Sequence, residues 1–446
     1  MILIKNAVIV NEARKYKGAV LINGDRIAAV YEQEIPEDVL VKSVSVDASG
    51  CYLIPGVIDD QVHFREPGLT HKADIHSESR AALAGGLTTF MDMPNTQPQT
   101  TTIDALNWKF DRAAATSLIN YSFFIGATNS NITELKRVEA QRAAALKVFM
   151  GSSTGNMLVD RKSTLERIFG EIDLLIAVHC ENEALIKSNT AYYTEQYGQE
   201  LDISFHSRIR NVEACYTSSS EAVALATRYG SRLHIFHLST AKELSLFENK
   251  PLLEKKITGE VCVHHLWFCD EDYARLGNRI KWNPSIKSRE DMLALRASLN
   301  SDLLDVVATD HAPHLLAEKT GSLFKAASGG PMVQHSLVAM LELSRAGVFK
   351  IEKVVEKMCH APADLFRIKD RGYIRAGYFA DLVLVKPDTP WEVNTGNILY
   401  KCAWSPMEGQ TFSHQVVQTY INGKLAYDRG VVDESVRGME IQFREN

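Results

Sequence analysis

Histidine, lysine and aspartate recur in this chain at one kind of place, the end of a short apolar run. His63 lies in Gln61-Val62-His63-Phe64-Arg65, Lys147 in Leu146-Lys147-Val148, His179 closes Ala177-Val178-His179, His237 sits in Phe236-His237-Leu238, and Asp310 follows Ala308-Thr309. Imidazoles and a carboxylate gathered at one spot are the ligand chemistry of zinc or a similar divalent ion, with no thiolate required. One such histidine alone is more often structural than ligating. Three on separate runs, joined by an aspartate, reverse that weighting. Lys147 is the odd member, because an ammonium within a buried apolar strand is costly unless it is paired or modified. A carbamate on its amine, bridging two ions, removes the cost; the alternative is a lysine that reaches past the strand end to solvent.

Something must bring these run ends together. Eight apolar runs alternate with helical stretches: Leu53 to Val62, Thr88 to Met93, Tyr121 to Ala127, Leu146 to Met150, Leu174 to His179, Leu233 to Leu238, Ile257 to Val263 and Leu304 to Thr309. Helical periodicity is clear over Ser77 to Ala84, Ser163 to Phe169, Thr217 to Arg228 and Asp291 to Ser298. This alternation predicts an α/β fold, a (β/α)8 TIM-like barrel over residues 54–372, whose chemistry sits at the C-terminal ends of the strands. The two ends of the chain have a different texture. Ile2 to Asn11, Gly18 to Tyr31 around Asn23-Gly24, and Lys42 to Asp47 read as strands and turns, as do Tyr373 to Val385 and Gln415 to Tyr427 around Asn422-Gly423. Residues 1–53 and 373–446 are therefore expected to pair into one small β-sandwich domain.

The bulk composition narrows the function. With 446 residues, 45% apolar and 23% charged, the chain has material for one large domain and a small one. A net charge of -6 and no basic stretch argue against nucleic acid as a partner. Seven scattered cysteines, without a CxxC pair, argue against a disulfide framework or a thiolate zinc site. Met1 to Asn6 reads as a strand rather than a signal peptide, and no apolar run is long enough to span a bilayer, so the expectation is a cytoplasmic protein with a small-molecule substrate and no membrane partner.

The stretch Pro55 to Gly68, containing His63-Phe64-Arg65-Glu66-Pro67-Gly68, together with Met93-Pro94-Asn95 and Thr309-Asp310-His311-Ala312-Pro313-His314, resembles the amidohydrolase superfamily and, within it, the dihydroorotases. Gly372 to Val383 resembles that family's return into the β domain. The resemblance implies a metal-dependent hydrolase of cyclic amides that uses one or two Zn2+ ions and assembles as a homodimer. It implies that His63, Lys147, His179, His237 and Asp310 hold the metal, with Lys147 carboxylated. It implies that Asp310 shuttles the proton, that Arg65, Asn95 and His314 grip the substrate carboxylate and ring, that Asn283 adds a contact, and that Ser328 and Gly329 meet the ring through their backbone. The chemistry is coherent, since a metal activates water and polarises the amide carbonyl, and Asp310 carries the proton to the leaving nitrogen. Arg65 bears on substrate identity, because its planar fork matches a carboxylate that a plain hydantoin lacks.

The sequence departs from the family pattern Asp-x-His-x-His, because its first histidine is Gln61 here, and an amide oxygen is a poor zinc ligand. Strand alternation puts Asp59, Gln61 and His63 on one face, where Asp59 can supply or support a ligand, and turns Asp60 the other way. Ser152 stands where some bacterial relatives have an aspartate ligand, in chains that lack Lys147. His264 and His265 end the seventh run and are expected to orient ligands rather than bind metal. Two other readings share these residues: a hydantoinase or allantoinase, and a non-catalytic homologue that scaffolds a partner enzyme, motivated by Gln61.

Overall fold

The computed structural model describes residues 1–139, 142–151 and 156–444. Eight parallel strands form a barrel: β1 (Val57–Val62), β2 (Leu87–Asp92), β3 (Asn120–Phe123, continued by Ile125–Gly126), β4 (Leu146–Phe149), β5 (Ile176–His179), β6 (Leu233–Ile235), β7 (Ile257–Cys262) and β8 (Val306–Ala308). Each pairs with the next in parallel register. The ring closes where Val62 bridges His311 and the His63 amide donates to the His311 carbonyl at 2.7 Å. Strands buried on both faces must be apolar throughout, which explains the uninterrupted runs. Val148, Val178, Val261 and Val307 pack outward against helices, while Ile58, Met91, Phe124, Ala177, Phe236 and Val306 fill the interior.

The helices begin where side chains satisfy their free amides. Asp74 and Ser77 form a capping box on Ile75–Ala84. Asn182, Asn211 and Ser288 cap Glu183–Tyr197, Val212–Tyr229 and Arg289–Asn300. Every helical stretch expected from periodicity lies within an observed helix.

The two chain ends share one nine-stranded sheet, in which Tyr52–Pro55 pairs parallel with Ile2–Asn11 and antiparallel with Leu382–Lys386. The first apolar run is therefore two strands rather than one. The chain leaves the sheet at Gly56, where a Cβ would meet Thr88 Oγ1 at 2.0 Å, so only glycine passes between the two units. The tail also differs from expectation. Beyond Val431–Val432 it returns to the barrel, where Ile441 and Phe443 join Phe366 and Ile368 under the strands.

Candidate active site

At the C-terminal end of the barrel the expected ligands come together as two pairs and a buried lysine. His179 Nδ1 and His237 Nε2 are 2.9 Å apart. His63 Nε2 and Asp310 Oδ1 are 3.1 Å apart. His237 and Asp310 sit at φ +39° and +45°, at the points where β6 and β8 give way to loops. Such conformations are strained for side chains with a Cβ and recur at functional sites.

His179 Nε2 lies 3.0 Å from Glu181 Oε2, and Arg210 Nη1 donates to the same oxygen at 2.6 Å. Burial alone would raise the Glu181 carboxyl, but Arg210 and His179 outweigh it and hold it well below the usual carboxylate range. A carboxylate on one ring nitrogen fixes the tautomer and leaves the other nitrogen a lone pair, as in metal-bound histidines. Burial depresses the pKa of both His179 and His237, which favours the neutral imidazole in each. His237 Nδ1 is buried without a hydrogen-bond partner among the described residues. Neither Glu181 nor Arg210 was singled out from sequence; the only signal was a carboxylate two residues past a strand-end histidine.

Lys147 is 1% exposed and does not reach solvent. Its Nζ lies over the ring of Phe236, 4.0 Å from the centroid, and 4.8 Å from that of Phe149. Among the described residues it makes no ion pair, and burial lowers its pKa to about 7. It therefore presents a neutral amine for much of the time at neutral pH, the form that reacts with carbon dioxide. Neutral imidazoles, a carboxylate and a reactive buried amine fit a divalent ion and a carbamate at this mouth.

The end of β1 is not built as strand alternation predicts. The β1–β2 register shifts between Asp59 and Val62, and a bulge of this kind turns consecutive side chains to the same side. Asp59 faces β8, accepting from Thr309 Oγ1 at 2.7 Å and from the Thr309 and Gln61 amides. Both its oxygens are thus engaged, one by the Thr309 hydroxyl and one by backbone amides, and burial, opposed by these bonds, raises its pKa to about 8. Asp60 is directed into the barrel interior, toward His234 and Glu260. Gln61 Oε1 accepts from the Cys262 thiol at 3.4 Å. Ser152 lies outside the described residues.

The expected substrate-binding residues divide. Arg65, at φ +66° and buried, donates from Nε to the Pro313 carbonyl at 3.0 Å and lies 3.1 Å by Nη2 from His314 Nε2. Lys72 Nζ is 3.0 Å from His314 Nδ1. A neutral imidazole has one lone pair, so it can satisfy only one of these two cationic donors. Burial, then Arg65 and Lys72, push the His314 pKa strongly down, which makes this corner a set of cations around a neutral ring. Lys72, unnoticed in the sequence, is its second cation, balanced in part by Glu318 at 2.8 Å. Asn95 Oδ1 lies 2.8 Å from His63 Nδ1 and so holds that imidazole. Asn283 Oδ1 is buried and has no hydrogen-bond partner among the described residues. Gly329 has both backbone groups engaged, its amide to the Lys281 carbonyl and its carbonyl to Lys319 Nζ. The main chain of Ser328 abuts His314. His264 stacks on Trp282 at 4.3 Å between ring centroids, and His265 Nε2 lies 3.2 Å from the Pro284 carbonyl.

A closed parallel barrel with imidazole, carboxylate and lysine at its C-terminal mouth defines a class of hydrolase scaffolds. Residues 52–426 match the amidohydrolase family, and the chain belongs to it. A dihydroorotase of Halobacterium salinarum is 34% identical over 415 residues, covering 92% of this chain and 93% of that protein. A dihydroorotase of Carboxydothermus hydrogenoformans is 32% identical over 95% of this chain and 97% of its own length. Among solved structures, the L-hydantoinase of Arthrobacter aurescens superimposes with a TM-score of 0.92 at 25% identity, covering 99% of each chain. The dihydropyrimidinase of Brevibacillus agri has a TM-score of 0.88 at 22% identity, over 100% of this chain and 99% of its own, and shows the shared fold.

Proposed function

We propose that this chain is a dihydroorotase, opening the ring amide of L-dihydroorotate to N-carbamoyl-L-aspartate and closing it in reverse, in cytoplasmic pyrimidine synthesis. The observation that carries this reading is the cationic corner of Arg65, Lys72 and His314 beside the paired ligands, a place for a substrate carboxylate. Relatives of that name, similar along almost the whole chain, support it.

His63, His179, His237, Asp310 and Lys147, the last as its carbamate, would hold one or two Zn2+ ions. When bound, such an ion lowers the pKa of water and polarises the amide carbonyl. The residues do the rest. Asp310, 3.1 Å from His63, accepts a proton from the attacking water and returns it to the ring nitrogen as the carbon–nitrogen bond breaks, so water adds across that bond. Glu181 and Arg210 keep His179 in one tautomer, and Asn95 does the same for His63. Arg65 would turn its guanidinium to the substrate carboxylate, and Asn283 Oδ1, without a partner among the described residues, would accept from a ring N–H. Five strand ends that each carry one of these residues favour an enzyme over a scaffold. A hydantoinase reading shares fold and ligands, but a cationic corner this buried has no work to do on an uncharged ring.

The test is turnover by the zinc-loaded protein of L-dihydroorotate in one direction and N-carbamoyl-L-aspartate in the other. Conversion in both directions is expected. Absence of both, with hydantoin or allantoin opened instead, would overturn the reading.

A further inference from the structure

Within the barrel, apart from the five expected ligands, lies a second group of donors. Asp60, His234 and Glu260 are all 0% exposed, and their ligand atoms lie within 4.8 Å of one another. They come from the neighbouring strands β6 and β7 and from β1.

His234 Nδ1 is 2.9 Å from Thr258 Oγ1, which fixes the ring and turns Nε2 toward both carboxylates. From Nε2 the distance is 3.6 Å to Asp60 Oδ2 and 3.6 Å to Glu260 Oε2. That is too long for a hydrogen bond. It is close to the edge, ~3.4 Å, of a tetrahedron of nitrogen and oxygen ligands held at ~2.1 Å from a zinc ion. Both Asp60 oxygens, Glu260 Oε2 and His234 Nε2 have no hydrogen-bond partner among the described residues. Glu260 Oε1, by contrast, accepts from the His237 amide at 3.2 Å and lies 3.5 Å from the Cys262 thiol, the alternative acceptor to Gln61 Oε1 for its one proton. The unused atoms are therefore the ones that point at each other.

Three buried carboxylate oxygens, both of Asp60 and Oε2 of Glu260, with no donor among the described residues are costly, and one shared imidazolium at 3.6 Å is a weak remedy. A divalent cation satisfies all three donors at once and cancels both negative charges. Mixed imidazole and carboxylate ligands, with the imidazole braced by a hydroxyl on its far nitrogen, are the usual surroundings of zinc. We propose that Asp60, His234 and Glu260 form a structural cation site that takes one Zn2+ and ties β1, β6 and β7 together across the barrel interior. The site is independent of the reaction proposed above.

Crystals of the full chain grown with Zn2+, measured at the zinc absorption edge, test it directly. An anomalous peak between the three side chains is expected. Its absence, including a pattern with peaks only at the mouth, would overturn the proposal. Zinc content by mass spectrometry after gel filtration gives a second arm: Asp60→Asn and Glu260→Gln should each hold one zinc per chain fewer than the unmodified protein, whereas equal content would contradict the site. Should either variant fail to fold, the crystal of the unmodified chain decides alone.

Discussion

At the ends of β5 and β6, His179 and His237 stand 2.9 Å apart, both kept neutral by burial, with His179 braced by Glu181 and, through it, Arg210. At the end of β1 the chain bulges, spends Asp59 on Thr309, sends Asp60 inward and leaves Gln61 against the Cys262 thiol. On the proposed reading, one side of the mouth would present two preorganised imidazoles to an ion, whereas the end of β1 would present His63, held by Asn95. The difference teaches where binding free energy should reside: in the braced pair rather than at Gln61.

Breaking the braced pair should have the largest effect. His179→Ala removes a ligand and leaves Glu181 without its imidazole, and kcat/KM should fall about 10³-fold, some 4 kcal/mol of transition-state stabilisation, with loss of bound metal. Steady-state kinetics with parallel metal analysis checks this; retained metal and activity would place the ion elsewhere. Acid should act next, through stability. Burial, helped by Lys287, lowers the His265 pKa from 6.5 to about 4. The unfolded chain binds a proton there below about pH 6.5 and the folded chain does not until about pH 4, so stability falls as pH drops through this window. Such a displacement corresponds to about 3 kcal/mol, read as a falling melting temperature of metal-free protein between those pH values.

Arg65→Met should lower kcat/KM for L-dihydroorotate by about 10- to 100-fold, since a charge-assisted hydrogen bond contributes about 1.5–3 kcal/mol. The loss should appear mainly in KM. Gln61→Ala should have the smallest effect, under about threefold, because an amide oxygen contributes little as a ligand. A larger loss there would erase the contrast between the two sides.

Much of this was legible in the sequence because the barrel strands are buried on both faces and end in polar residues, so His63, His179, His237 and Asp310 marked their own positions. What stayed hidden depends on partners far along the chain. Gly56 looked like part of one apolar run because its meaning lies in its approach to Thr88. The bulge at Asp59 and Asp60 is a matter of register against β2, which no local pattern encodes. Lys72 joins His314 from 242 residues away, and Asp60 meets His234 and Glu260 only once three strands are assembled. The one local hint was charge inside apolar runs.

The most direct measurement compares kcat/KM for L-dihydroorotate and for dihydrouracil, the same ring without its carboxylate, on the zinc-loaded protein. A site in which Arg65, Lys72 and His314 read that carboxylate should prefer dihydroorotate by about 100-fold or more. Equal turnover of the two rings, or a preference for dihydrouracil, would contradict it.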